Sequence, residues 1–211
     1  MKIKVCGMKY EENIRELELL GPDYMGFLFF SGSKRFVESK LPRIDEHIEK
    51  IGVFVNQEVN EVEEAINSNG LQGVQLHGDE SPAYIERLRS LLAGSQTTII
   101  KAFPVGDTMD WEILEPYETN CDYFLFDTKG KDRGGNGIQF DWKILSGYKL
   151  KTKYFLSGGI GPDDIGPLKD FLASNNAENC HAIDINSRFE VYPGMKDIGK
   201  LKVFIEDFKA I

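Results

Sequence analysis

Short apolar runs alternate with amphipathic segments from one end of this 211-residue chain to the other, and no linker rich in Pro, Gly or Ser divides them. The runs predict strands at Ile3–Cys6, Tyr24–Phe30, Gly52–Val55, Gly73–Leu76, Thr98–Phe103, Asp122–Asp127, Tyr154–Ser157 and Ala182–Ile185. Several are apolar at consecutive positions, which suits strands covered on both faces, as in parallel sheets. Helical spacing fills the gaps. Ile14, Leu17 and Leu20 recur on one face, as do Val59, Val62 and Ile66. Ser81 followed by Pro82 reads as a helix start, with Ile85, Leu88 and Leu92 behind it. Pro162 opens another helix and Ile198 to Phe208 forms the last, whereas the connections Glu38 to Glu49 and Phe140 to Leu145 are weak helical patterns. Eight strand–helix units of roughly 26 residues predict an α/β fold, a (β/α)8 barrel occupying residues 1–211 as one domain. A flavodoxin-like open sheet is the rival, but it needs about five strands and fewer residues.

A barrel carries its chemistry at the C-terminal ends of its strands. The first strand ends at Cys6-Gly7 and the second leads to Ser31-Gly32-Ser33-Lys34-Arg35. The third ends at Asn56, the fourth at His77-Gly78 and the fifth near Lys101. The sixth ends at Asp127-Thr128, before the loop Gly134-Gly135-Asn136-Gly137. The seventh ends at Ser157-Gly158-Gly159-Ile160 and the eighth at Asp184-Ile185-Asn186-Ser187-Arg188.

Each of these residues has a functional and a plainer reading. Glycines at the last two strand ends let backbone N–H groups approach a phosphate beside a helix start, or they make a tight turn. Cys6 is a proton acceptor if a cation or helix-end donors favour its thiolate, and otherwise a small buried hydrophobe. Asp127, at the edge of a layer of Tyr, Phe and Leu, can serve as a general acid or cap the next turn. Arg35, with Lys34, offers planar recognition of a carboxylate, or both are solvated loop charges. His77 can line the pocket or simply bond a neighbouring backbone group, and lining is the favoured reading. His47 and His181 have no evident partners, and Trp111 and Trp142 read as packing residues.

A net charge of −9 disfavours nucleic acid and membrane surfaces as partners and leaves room for an anionic small molecule held by local donors. Three widely spaced cysteines, Cys6, Cys121 and Cys180, fit neither a disulfide framework nor a zinc site, and point to a reducing compartment. No signal-like or membrane-length apolar segment stands out, so a cytoplasmic location is expected.

The motifs, in order, resemble the phosphoribosylanthranilate isomerases of tryptophan biosynthesis. Lys4-Val5-Cys6-Gly7-Met8 is similar to the family's opening KICG, and Met25-Gly26-Phe27 through Ser33-Lys34-Arg35-Phe36 to its GF…SKR. Gly52-Val53-Phe54-Val55-Asn56 and Val74-Gln75-Leu76-His77-Gly78 match its GVFVN and VQLHG. Phe126-Asp127-Thr128, Gly134 to Gly137 with Phe140-Asp141-Trp142, Leu156 to Ile160 and Pro193 to Asp197 complete the series.

This resemblance implies an Amadori rearrangement of N-(5-phosphoribosyl)anthranilate without metal or other cofactor. Asp127 would be the general acid at the furanose ring oxygen and Cys6 the general base at C2. Arg35 would meet the anthranilate carboxylate, and Gly158, Gly159 and Ser187 the phosphate, while His77 and Asp184 would line the pocket. One motif departs. The family commonly reads DVSSGVE where this chain has Asp184 to Glu190, so Arg188 replaces a glycine and Asn186 a serine. Arg188 is expected to substitute a charge-assisted phosphate contact for a lost backbone one. The other readings are a non-catalytic barrel that binds a phosphorylated ligand and an enzyme such as indole-glycerol-phosphate synthase. The latter needs catalytic lysines, for which Lys101 is the one match. The chain is expected to act as a monomer or homodimer.

Overall fold

In the computed structural model of the protein, residues 1–129 and 139–211 are described, so the Gly134–Gly137 loop lies outside the described residues. Eight strands pair in chain order and close into a barrel: β1 (Lys2–Val5), β2 (Tyr24–Leu28), β3 (Glu49–Phe54), β4 (Gly73–Leu76), β5 (Thr98–Val105), β6 (Tyr123–Thr128), β7 (Lys153–Leu156) and β8 (Cys180–Ile185). Every pairing is parallel, and β1 closes the ring against β8 with Lys4 beside Asp184 and Val5 beside Ile185.

Among the described residues, five α-helices follow strands on the outside: α1 (Glu11–Glu18), α2 (Val59–Asn69), α3 (Pro82–Leu91), α4 (Ile165–Leu172) and α5 (Ile198–Lys209). The caps are those the sequence offers. Ser81 Oγ accepts from the Tyr84 N–H at 3.2 Å at the start of α3, a bond that contributes roughly 1 kcal/mol. Asp197 does the same for α5, and Gly70, left-handed at φ 58°, ends α2.

Three crossovers depart from the expected strand–helix pattern. The connection from β2 to β3 contains no helix; Pro42 stands in its middle and removes a donor that a helix there would need. Among the described residues, the crossovers after β5 and β6 carry 3₁₀ turns, at Trp111–Tyr117, which contains Pro116, and at Trp142–Gly147. Both tryptophans pack as expected, Trp111 edge-on to Phe126 and Tyr148, and Trp142 against Phe171. β3 begins earlier than its apolar run because Glu49 and Lys50 continue the pairing at the barrel foot, where polar side chains are tolerated.

The barrel has two apolar layers. The larger one lies between strands and helices. The smaller fills the lower interior with Tyr24, Ile51, Ile100, Ala102, Leu125, Phe155 and Ala182. Side chains alternate along a strand, so residues two beyond that layer also face the interior. Those positions carry Asp127 after Leu125, Ser157 after Phe155 and Asp184 after Ala182. The interior therefore turns from apolar to polar on approaching the C-terminal rim. A hairpin, β9 (Glu190–Tyr192) and β10 (Met195–Lys196), follows β8. Among the described residues, no helix is long and apolar enough to cross a membrane.

Candidate active site

A cavity of about 670 Å³ opens at the C-terminal rim, and eight of the nine residues singled out from the sequence line it: Cys6, Arg35, His77, Asp127, Gly158, Gly159, Asp184 and Ser187. They come from six different strand ends, and only closure of the barrel brings them together.

Cys6 follows β1 directly, and its N–H donates to the Ile185 carbonyl at 2.9 Å. The thiol is 4% exposed. Burial pushes its pKa up; the Lys4 and Lys196 ammoniums oppose that rise, and Asp184 adds to it. Gly7 takes φ 79°, and a Cβ there would meet Asn186 Oδ1 at 2.5 Å and Arg35 Cδ at 2.7 Å. The turn after Cys6 thus fits closely against the β2 and β8 loops.

Asp127 lies across the cavity, with β7 and β8 between its strand and β1. Its Oδ1 accepts from the Thr128 N–H at 2.9 Å, and its Oδ2 is 3.4 Å from His77 Nε2. Both side chains are partly exposed to the cavity, His77 at 19% and Asp127 at 14%.

The β7 rim carries two consecutive left-handed glycines, Gly158 at φ 93° and Gly159 at φ 68°. A Cβ on Gly158 would collide with Thr128 Oγ1 and come within 2.7 Å of the Thr128 nitrogen. Side chains are therefore excluded where the strand end meets the cavity. Gly161, Pro162 and Asp164 then start the turn that leads into α4, with the Gly161 N–H donating to Asp164 Oδ2 at 2.6 Å. A bare backbone next to a helix start is the arrangement that receives a phosphate.

Arg188 is the candidate that does not line the cavity. It is exposed, and its stem lies over Gly161, where an added Cβ would meet Arg188 Nε at 2.9 Å and its Cβ at 3.2 Å. The 3₁₀ turn Ser187–Phe189 explains this: Ser187 faces the cavity, Phe189 is fully buried, and the arginine between them projects over the β7 loop. Arg188 is not among the positive-φ residues, so a glycine's conformational freedom is not needed there.

Arg35 is gripped by Glu190, which accepts from Nε at 2.8 Å and from Nη2 at 2.6 Å. Glu190 also accepts from Lys196 Nζ at 2.9 Å, and Lys196 in turn donates to Asn186 Oδ1 at 2.7 Å. Burial pulls Lys196 down to about 8, with Glu190 and Cys6 pulling the other way. Lys101 does not line the cavity. It is buried among the Leu76, Gly78 and Ala102 carbonyls and paired with Glu80 at 3.1 Å. Cys121 and Cys180 are free and buried, and His47 is exposed beside Asp45.

Sequence reasoning missed a set of buried polar residues beneath the cavity. Lys4 is 0% exposed and donates to Asp184 Oδ1 at 2.9 Å and Gln75 Oε1 at 2.7 Å. Gln75 Nε2 is 2.7 Å from His77 Nδ1. Ser157 Oγ donates to Asp184 Oδ2 at 3.4 Å. The available signal was a lone Lys and a lone Gln inside short apolar strands, because such residues are buried only with partners. Among the described residues, no three His, Cys, Asp or Glu side chains converge in a way that could hold a metal ion.

Comparison with known proteins adds a second line of observation. Residues 3–207 match the family model described as N-(5'phosphoribosyl)anthranilate (PRA) isomerase. The chain is 42% identical to an N-(5'-phosphoribosyl)anthranilate isomerase from Parabacteroides distasonis, over 98% of this chain and 92% of that one. It is 40% identical to the enzyme of that name from Phocaeicola vulgatus, over 99% and 98%. Among solved structures, the phosphoribosyl anthranilate isomerase from Thermus thermophilus superposes with a TM-score of 0.81 at 26% identity, covering 100% of this chain and 99% of that one. Another, at 25% identity, full coverage of both chains and a TM-score of 0.73, is a phosphoribosyl anthranilate isomerase in complex with reduced 1-(o-carboxyphenylamino)-1-deoxyribulose 5-phosphate.

Proposed function

The chain belongs to the N-(5'-phosphoribosyl)anthranilate isomerase family, and from that premise we propose which of its residues carry the reaction. It is an isomerase of tryptophan biosynthesis. It converts N-(5'-phosphoribosyl)anthranilate to 1-(o-carboxyphenylamino)-1-deoxyribulose 5-phosphate.

Asp127 gives its proton to the furanose ring oxygen as the bond from that oxygen to C1 breaks, leaving a Schiff base between C1 and the anthranilate nitrogen. Cys6, as thiolate, removes the proton from C2. The C–H electron pair forms a C1–C2 double bond and discharges the Schiff base to an enolamine. A proton gained at C1 and one lost from the C2 hydroxyl complete the ketone, so the atoms balance without oxidant or reductant. The two proton transfers act on neighbouring sugar atoms, so acid and base must flank a sugar held at both ends.

Arg35 receives the anthranilate carboxylate. A guanidinium has five donors, more than Glu190 engages. Backbone donors at Gly158, Gly159 and Ser187 hold the phosphate, and Arg188 adds positive charge from the rim. His77 and Asp184 line the sugar's part of the cavity. We also propose that residues 1–211 form one catalytic domain working without metal or other cofactor, as a monomer or homodimer in the cytoplasm. Its partner is a phosphorylated small molecule, and neither nucleic acid nor membrane takes part.

The observation that carries the assignment is the convergence of Cys6 and Asp127 on one cavity beside the glycine pair of β7. The test is loss of fluorescence when freshly generated phosphoribosylanthranilate meets the protein. Turnover is expected. Binding without turnover by folded protein would instead support a non-catalytic phosphate-binding barrel.

A further inference from the structure

A thiolate base at Cys6 needs a nearby cation, and the acid across the cavity needs a fixed orientation. One buried side chain reaches toward both. Lys4 and Cys6 are two residues apart at the end of β1, so their side chains leave the same face of the strand. An ammonium has three donors and no acceptor. One goes to Asp184 Oδ1 at 2.9 Å and one to Gln75 Oε1 at 2.7 Å, and the ammonium's charge acts on the Cys6 thiol two residues along the same strand face. Burial works against the ammonium, yet Asp184 and Cys6 outweigh it and raise its pKa, so Lys4 keeps its proton.

The second arm follows from donor logic. Lys4 can only donate, so the Gln75 atom facing it is the carbonyl oxygen, and the amide nitrogen must face His77 Nδ1 at 2.7 Å. Nδ1 then accepts, so the ring proton sits on Nε2, and Nε2 lies 3.4 Å from Asp127 Oδ2. The Thr128 N–H holds Oδ1 by a hydrogen bond, and His77 Nε2 stands beside Oδ2.

We propose that Lys4 is a positioning residue for the reaction: it favours the thiolate of Cys6 directly and, through Gln75, fixes the His77 tautomer that orients Asp127. The proposal rests on Cys6 and Asp127 being the base and the acid. Other groups also face Cys6: Asp184 from β8, Lys196 from β10 and Arg35 from the β2 loop. Asp184 opposes the thiolate and pairs with Lys4, as Glu190 pairs with Lys196 and Arg35. What distinguishes Lys4 is its place two residues from Cys6 on the same face of β1.

The test compares wild type with Lys4→Met, Lys4→Arg and Gln75→Leu. Mass spectrometry follows alkylation of Cys6 by iodoacetamide against pH, nitrogen NMR reads the His77 tautomer, and steady-state kinetics give kcat and KM. In Lys4→Met the alkylation midpoint should rise by about one pH unit or more. Its kcat at neutral pH should fall roughly tenfold to a hundredfold and recover as pH rises, with KM changed less than about threefold. Lys4→Arg should restore part of the loss. Gln75→Leu, which leaves Lys4 in place, should mix the His77 tautomers and lower kcat. If Lys4→Met does not fold, the tautomer in wild type and Gln75→Leu decides. An unchanged alkylation midpoint in folded Lys4→Met, or a His77 ring already protonated on Nδ1 in wild type, overturns the proposal. Activity surviving Cys6→Ser or Asp127→Asn would instead remove the assignment beneath it.

Discussion

A Cβ at position 26 would lie 2.6 Å from the Sγ of Cys6 and 3.0 Å from its Cα, so β2 carries a glycine where β1 brings its sulfur to the rim. Such steric detail decides where a reactive atom sits, and it is invisible in a list of residue types. Cys6 and Asp127 could be picked out because each has a chemically capable side chain where an apolar run ends. Lys4 and Gln75 stood out only as polar residues inside apolar strands, and their partners were hidden because they are remote: Lys4 meets Asp184 across 180 positions of sequence. Arg188 illustrates the converse. The departure from the family motif was legible, but its position over Gly161 depended on the turn that follows β8. From that rim position Arg188 supplies charge rather than a fixed contact. Arg188→Ala should raise KM by severalfold, up to about tenfold, while kcat falls by less than about twofold. Steady-state kinetics at low and high salt check this; a KM that does not move removes Arg188 from the phosphate site.

At the scale of elements, the strands were the readable part because their apolar runs are unbroken and both faces are covered. The crossovers were less so. Proline in the β2–β3 connection and in the turn after β5 stops helices that the expected alternation calls for. The foot of the barrel hides a further feature. His181 enters β8 beside a register shift, is 2.8 Å from the Tyr24 hydroxyl and has its ring centroid 4.4 Å from that of Tyr123, tilted by 32°. Burial, followed by Lys2 and Lys153, pulls its pKa down from 6.5 to about 4. Between those values the unfolded chain binds the proton and the folded one does not, so stability falls as pH drops from about 6.5 towards 4 and is flat in this term below that. Denaturant unfolding should show a smaller loss over that window in His181→Gln than in wild type. An NMR titration placing His181 near 6.5 would contradict the account.

For the whole molecule, closure of the sheet is what makes a site. Seven strand ends contribute to one cavity, and in a protein of net charge −9 its lining includes Lys34 and Arg35. Cations at the rim suit a substrate carrying a carboxylate at one end and a phosphate at the other. The barrel was legible from its alternation, whereas its interior change from apolar to polar was not, because alternation along a strand does not say which face is inward. The most direct measurement on the central claim compares turnover of freshly generated phosphoribosylanthranilate by wild type, Cys6→Ser and Asp127→Asn. The account predicts efficient turnover by wild type and losses of roughly a thousandfold or more in both folded variants, with KM little changed. Turnover within about tenfold of wild type in either variant would contradict the acid–base pair.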